Sequence, residues 1–117
     1  MSTSTTMLGA DIRALRDDRD RSDFKIWATF PRRALAVDVE TAGLKWTDPI
    51  RLVQFGDCER GWAIDPQQYP HLIAGTLKGA PRLVAHNASF DLPRLARLVA
   101  PDDPKSCLHD LASKCWD

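Results

Sequence analysis

The stretch Ala34-Leu35-Ala36-Val37-Asp38-Val39-Glu40-Thr41-Ala42-Gly43-Leu44 joins an apolar run to two acids and then to a glycine. Ala34 to Val39 is short, mostly apolar and β-branched toward its end, the pattern of a strand buried on both faces. Thr41 to Leu44 carries the chain out of the sheet. Side chains alternate along a strand, so Asp38 and Glu40, two positions apart, share a face. Like charges side by side repel, and next to a buried strand they are costly unless a cation neutralises them. Oxygen ligands of this kind suit Mg²⁺ or Mn²⁺. For an Asp-x-Glu alone, the plain alternative is an exposed strand end with solvated acids.

Working outward, Ile50 to Phe55 alternates Ile50, Leu52 and Gln54 on one face with Arg51, Val53 and Phe55 on the other, and Gly56-Asp57 closes it. Gly61 to Ile64 reads as a further strand, and the short loop between the two implies an antiparallel meander, so three strands come first. Asp65-Pro66 is a helix start for Gln67 to Thr76, ended near Gly75 or Gly79. Arg82 to Ala85 is a fourth strand. Ser89 to Val99 places Leu92, Leu95 and Val99 on one helical face with Arg94 and Arg97 outside, and Pro93 is tolerable only in the first turn. Pro101 and Pro104 break that helix. Cys107, Leu108, Leu111, Ala112 and Cys115 then mark an amphipathic closing helix.

Upstream, Leu8, Ile12 and Leu15 recur at helical spacing, which predicts a solvent-facing helix from Met7 to Asp23. Phe24, Ile26, Trp27 and Phe30 form an apolar connector over the core before Pro31-Arg32-Arg33. The organisation expected is therefore residues 1–33 as N-terminal helix and connector, followed by one α/β unit over 34–117.

At 117 residues the chain can bury roughly two-thirds of its unfolded surface in a single core. Its 16 basic and 16 acidic residues cancel, which excludes a protein that holds nucleic acid by bulk charge alone, since counterion release needs a surplus of Lys and Arg. A local site working through metal ions is compatible with that balance. Cys58, Cys107 and Cys115 fit no zinc spacing and read as reduced thiols. Met1 to Thr6 lacks a basic start and the longest strictly apolar run is Ala34 to Val37, so no export or membrane segment is expected and the setting expected is cytoplasmic.

After the fourth strand, His86-Asn87-Ala88-Ser89-Phe90-Asp91 puts a third carboxylate in the first turn of a helix, where the helix dipole favours its ionised form. Taken alone, Asn87 or Ser89 would be an N-cap and Asp91 an ordinary first-turn acid. Taken in order, two acids on a strand, a meander, and a strand-helix step with a third acid form one pattern. Ala36 to Leu44 resembles the first motif of the DEDD superfamily of 3′–5′ exonucleases, and Ala85 to Asp91 resembles the second. Leu52-Val53-Gln54-Phe55-Gly56 resembles the second strand of the proofreading domain of family A DNA polymerases, especially those of phages.

The resemblance runs from about Leu35 to Leu98. It implies a ribonuclease H-like mixed sheet, the first three strands antiparallel, flanked by helices. It further implies hydrolysis of phosphodiester bonds at a nucleic-acid 3′ end, most readily single-stranded DNA, with two Mg²⁺ or Mn²⁺ ions and a polymerase domain as partner. By that resemblance Asp38 bridges both ions, Glu40 binds one and Asp91 holds the other. Thr41, Leu44, Asn87 and Phe90 would line the substrate: Leu44 as a wedge, Thr41 through its backbone amide, Asn87 toward phosphate or sugar, and Phe90 against substrate or core. Trp46, on the loop beside the first motif, is the aromatic placed to stack on a base.

The family's third motif, Tyr-x-x-x-Asp or His-x-x-x-x-Asp, has no counterpart. Tyr69 has Ile73 four residues on; Thr76 and Lys114 stand five residues after His71 and His109; and His86 reaches only Asp91 itself. The 26 residues after Asp91 are too few for the remaining helices, a fifth strand and that motif, so the domain is expected to be shortened and incomplete at its C-terminus. Asp103, Asp110 or Asp117 would have to stand in as the fourth ligand. General-base or orienting groups contribute about 10²–10⁴-fold, so weak activity and a weakened second metal site follow. The alternative is a nucleic-acid-binding or interaction module that keeps the fold without turnover.

Overall fold

The computed structural model describes residues 11–116. Along the chain its elements are β1 (Asp11–Ala14), α1 (Asp18–Thr29), β2 (Leu35–Thr41), β3 (Ile50–Gly56), β4 (Arg60–Ile64), α2 (Pro70–Gly79), β5 (Leu83–Ala85), α3 (Ala88–Val99), α4 (Pro104–Ser113) and β6 (Cys115–Trp116). The strands form one mixed sheet in the order β1-β4-β3-β2-β5-β6. β2, β3 and β4 make the expected antiparallel meander, with Asp38 opposite Gln54 and Gln54 opposite Ala63. β5 runs parallel to β2, β6 parallel to β5, and β1 parallel to β4 on the far edge.

Strand parity decides where the core lies. Leu35, Val37 and Val39 of β2, Val53 and Phe55 of β3, Trp62 and Ile64 of β4, and Leu83 and Ala85 of β5 are buried in one cluster with Phe24, Ile73, Leu77, Leu92, Leu95 and Leu111. Those six come from all four helices, so the helices cover a single face of the sheet. Phe24 sets its ring edge-on to Trp62 at 5.6 Å and lies 6.1 Å from Phe55, tying α1 to the centre of the sheet. The opposite face carries Ala36, Asp38 and Glu40 of β2; both acids are exposed. The strand expected to be buried on both faces is thus buried along one, with only Ala36 covered on the other.

Several local expectations are corrected. The helix expected over Met7 to Asp23 begins outside the described residues; from Asp11 the chain is strand, and the helix starts only at Asp18. Asp17 sets that start, its side chain accepting from the Asp20 amide at 2.9 Å. The apolar connector is the second half of α1 and its C-cap, with Phe24 inward, Ile26 exposed on the helix and Phe30 exposed at the cap. Asp65 caps a turn rather than a helix, accepting from Gln67 N–H, and α2 begins at Pro70, whose fixed φ and missing N–H suit a first turn.

Pro93 lies within α3 beyond its first turn and the helix continues. The carbonyl it cannot bond belongs to Ser89, which is exposed, so solvent can take the vacant position. Pro104 opens α4 rather than only ending α3, with Asp103 accepting from Ser106 N–H at 3.3 Å. Cys115 belongs to β6, not to the closing helix, so a helix and a further short strand do fit after α3. Lys114 stitches this end down: its Nζ donates to the carbonyls of Leu77 and Ala80 at 2.6 Å, satisfying the C-terminus of α2. Cys58 and Cys107 are free thiols, and among the described residues no helix is long and apolar enough to cross a membrane.

Candidate active site

β2 and β5 are adjacent and parallel, so both leave the sheet at the same end, the end where open α/β sheets place their ligands. The chain delivers its acids there. Asp38 and Glu40 project from the open face at the end of β2, and Asp91 sits in the first turn of α3, two residues of loop after β5. A bulge between Glu40 and Thr41 breaks the β2–β3 register just where the strand turns out.

Asp91 is the group whose environment is most altered. Its residue is 1% exposed, and its Oδ2 has no hydrogen-bond partner among the described residues. Burial first, and the negative charge of Asp38 second, push its carboxyl up from 3.8 to about 7. The nearby backbone amides of Val39 and Asn87 and the charge of Arg94 pull the other way without restoring it. Asp38 accepts from the amide of Val39 at 3.0 Å and remains open to solvent. One buried carboxylate oxygen without a donor, beside a second carboxylate, is the arrangement a divalent cation relieves.

Glu40 shares the exposed face with Asp38, as expected from the two-residue spacing. Yet no three His, Cys, Asp or Glu side chains among the described residues come together as a group able to hold a metal ion. Neither Asp103 nor Asp110 joins Asp38 and Asp91, therefore, and Asp117 lies outside the described residues. The structure brings together Asp38 and Asp91.

The loop after β2 is closed on itself. Ala42 N–H donates to Pro49 O at 3.0 Å, Thr41 Oγ1 donates to Gly43 O, and Asp48 accepts from the Lys45 amide at 2.9 Å. Gly43 leaves room for this carboxylate: an added Cβ would meet Asp48 Oδ2, and the side chain would have to shift. This closure holds Leu44, 87% exposed, and Trp46 out toward solvent. Asn87 occupies the cap position of α3 and is exposed; its side chain makes no capping bond and instead accepts from Ser89 Oγ at 3.4 Å. Phe90 is half-buried under the guanidinium of Arg94, 3.8 Å from its ring centroid.

Arg94 corrects an expectation. Placed outside by helical periodicity, it is only 7% exposed and bridges the two motifs. It donates to Phe90 O at 3.0 Å within its own helix and to Leu44 O at 3.4 Å in the loop. Its guanidinium lies 5.1 Å from the Trp46 ring, and that of Arg97 lies 4.1 Å from the same ring. Arg94 therefore fixes the loop to α3 and Trp46 above both arginines' helix. The signal available in the sequence was its spacing, four residues after Phe90 and three after Asp91, which makes Arg94 a neighbour of each along the helix surface.

No protein-family model and no curated protein sequence matches the chain.

Proposed function

We propose that the chain is a metal-dependent 3′–5′ exonuclease-type domain of the DEDD superfamily, ribonuclease H-like in fold, acting on the 3′ end of single-stranded DNA in a cytoplasmic setting beside a polymerase domain. The observation that carries this reading is the pairing of exposed Asp38 with buried Asp91, whose Oδ2 lacks a donor, at the shared end of two parallel strands. The strand order β4-β3-β2-β5-β6 also supports it, because the meander comes first and two parallel strands follow on the other side of β2.

On this reading Asp38 and Asp91 hold the divalent cation, Mg²⁺ or Mn²⁺, with Glu40 extending the acidic face toward a second ion. When bound, such ions lower the pKa of water and stabilise the leaving 3′ oxygen. Leu44 and Trp46 offer the terminal nucleotide an apolar edge and an aromatic face, and Arg94 keeps both in place. Thr41 and Asn87, beside the acids, present a backbone amide and a side-chain amide to phosphate or sugar. Without a Tyr or His to orient the water, turnover is slow.

A second reading, a nucleic-acid-binding module without turnover, is favoured by the absence of a third ligand beside Asp38 and Asp91 among the described residues. Release of nucleotides from a 3′-labelled single strand in Mn²⁺, by the full chain and by its Asp38→Ala and Asp91→Ala variants, separates the two. The exonuclease reading expects release by the parent alone. Equal rates for all three proteins exclude catalysis at this site, and salt-dependent strand binding without release supports the second reading.

A further inference from the structure

We infer that the cleft between α1 and α2 is a binding site for a free anionic amphiphile: an apolar chain of about twelve carbons ending in a carboxylate. This stands apart from the nuclease reading and involves none of its residues.

Both helices pack on the sheet, and between them remains a cleft of about 700 Å³. That lies within the range of about 300–1,000 Å³ typical of small-molecule sites. The cleft reaches the core: Phe24 and Leu35, 0% and 3% exposed, are among its lining residues. Phe30, 69% exposed at the end of α1, supplies further uncovered apolar surface. On the facing wall Gly75 and Gly79, one turn apart, leave room, with nothing within 4 Å of where a Cβ would stand. α2 has ten residues, a length of about 15 Å, comparable with an extended twelve-carbon chain.

Charge selects the head group. Arg21 and Lys25, one turn apart on α1, and His71 in the first turn of α2 line the cleft, and among the described residues no Asp or Glu does. Among the described residues neither Arg21 nor Lys25 has a carboxylate partner. Arg32, also in the lining, is already engaged: it donates to Trp27 O at 2.8 Å and pairs with Asp57 at 3.5 Å. An apolar body in the cleft with an anion at Arg21 and Lys25 satisfies both the exposed apolar surface and the unpaired cations. A cationic amphiphile of the same length gains only the first.

The test is calorimetric titration of the full chain with dodecanoate, with dodecylammonium as the charge-reversed probe, and with amide chemical shifts locating the site. Dodecanoate is expected to bind at least tenfold more tightly than dodecylammonium and to shift the amides of Phe24, Gly75 and Gly79. Gly75→Leu and Gly79→Leu fill open space, so the thermal midpoint is retained while dodecanoate affinity falls at least tenfold; Lys25→Glu, which reverses a lining charge and leaves both glycines in place, lowers it similarly. Equal binding of both probes, undiminished binding by the glycine variants, or no binding by the folded parent overturns the inference. So does binding only to phosphatidylglycerol vesicles, which would make the cleft a membrane-facing surface, or concentration-dependent dimerisation that blocks the probe.

Discussion

Replacing Asp91 by Asn should stabilise the cation-free protein at alkaline pH, although it removes a group the proposed activity needs. Asp91 is buried with its Oδ2 unpartnered, and its carboxyl is held at about 7 instead of 3.8. At about 1.4 kcal/mol per pH unit, that rise corresponds to a ceiling of about 4 kcal/mol against the ionised folded state. Water reaching the exposed Asp38 beside it screens part of this, so about 2 kcal/mol is the expected gain. The folded protein holds the proton more tightly than the unfolded chain, so wild-type stability is full below about pH 4. It falls as pH rises toward and through 7 and is level above that. Urea unfolding in EDTA at pH 5 and pH 8.5 measures it. Over a third of the loss already falls below pH 5, so the Asp91→Asn advantage should be about 1 kcal/mol larger at pH 8.5 than at pH 5, and Asp38→Asn should move the wild-type inflection downward by removing the neighbouring charge. An advantage independent of pH, or wild-type stability that rises between pH 5 and 8.5, would refute the reasoning.

Other groups give further outcomes. Arg94→Met removes the bond to Leu44 O and should cost about 1–3 kcal/mol while making Trp46 more accessible to acrylamide quenching, measured against a Trp46→Phe background. Gly43→Ala must displace the Asp48 carboxylate from the Lys45 amide; a loss of about 1 kcal/mol with an unchanged core is expected, seen as amide shifts confined to residues 41–49. Asp20 behaves oppositely to Asp91: the Arg16 amide and the Arg13 guanidinium hold its carboxyl at about 2. Its contribution is present above about pH 4 and lost as pH falls through 2, so Asp20→Asn should flatten the acid limb of the unfolding profile.

The central meander and the helix over residues 88–99 were legible because strand alternation and helical spacing are local signals. Ile50 to Phe55 and the Leu92, Leu95 face show their burial in their own period. β1 was not legible: Ile12 and Leu15 fit a helical spacing, and only pairing with β4 makes Asp11–Ala14 a strand. β6 is likewise two residues long and exists through its register with β5, information that a window of sequence does not contain. At the candidate site, the shared face of Asp38 and Glu40 follows from a period of two. The approach of Asp91 to Asp38 depends on β5 lying beside β2, and the burial of Arg94 depends on the loop folding back over α3. Both are tertiary facts that helical periodicity alone assigns the wrong way for Arg94.

The claim on which the account rests is that Asp38 and Asp91 form a cation site, and a carboxyl at about 7 makes that claim countable. Calorimetric titration of Mn²⁺ into the full chain at pH 7, repeated in two buffers of different ionisation enthalpy, reads both affinity and protons released. The account predicts release of a fraction of a proton per bound ion, since a carboxyl held at about 7 is partly protonated there. It also predicts at least tenfold weaker binding for Asp38→Asn and for Asp91→Asn. Identical titrations for all three proteins, with no proton released, would contradict it.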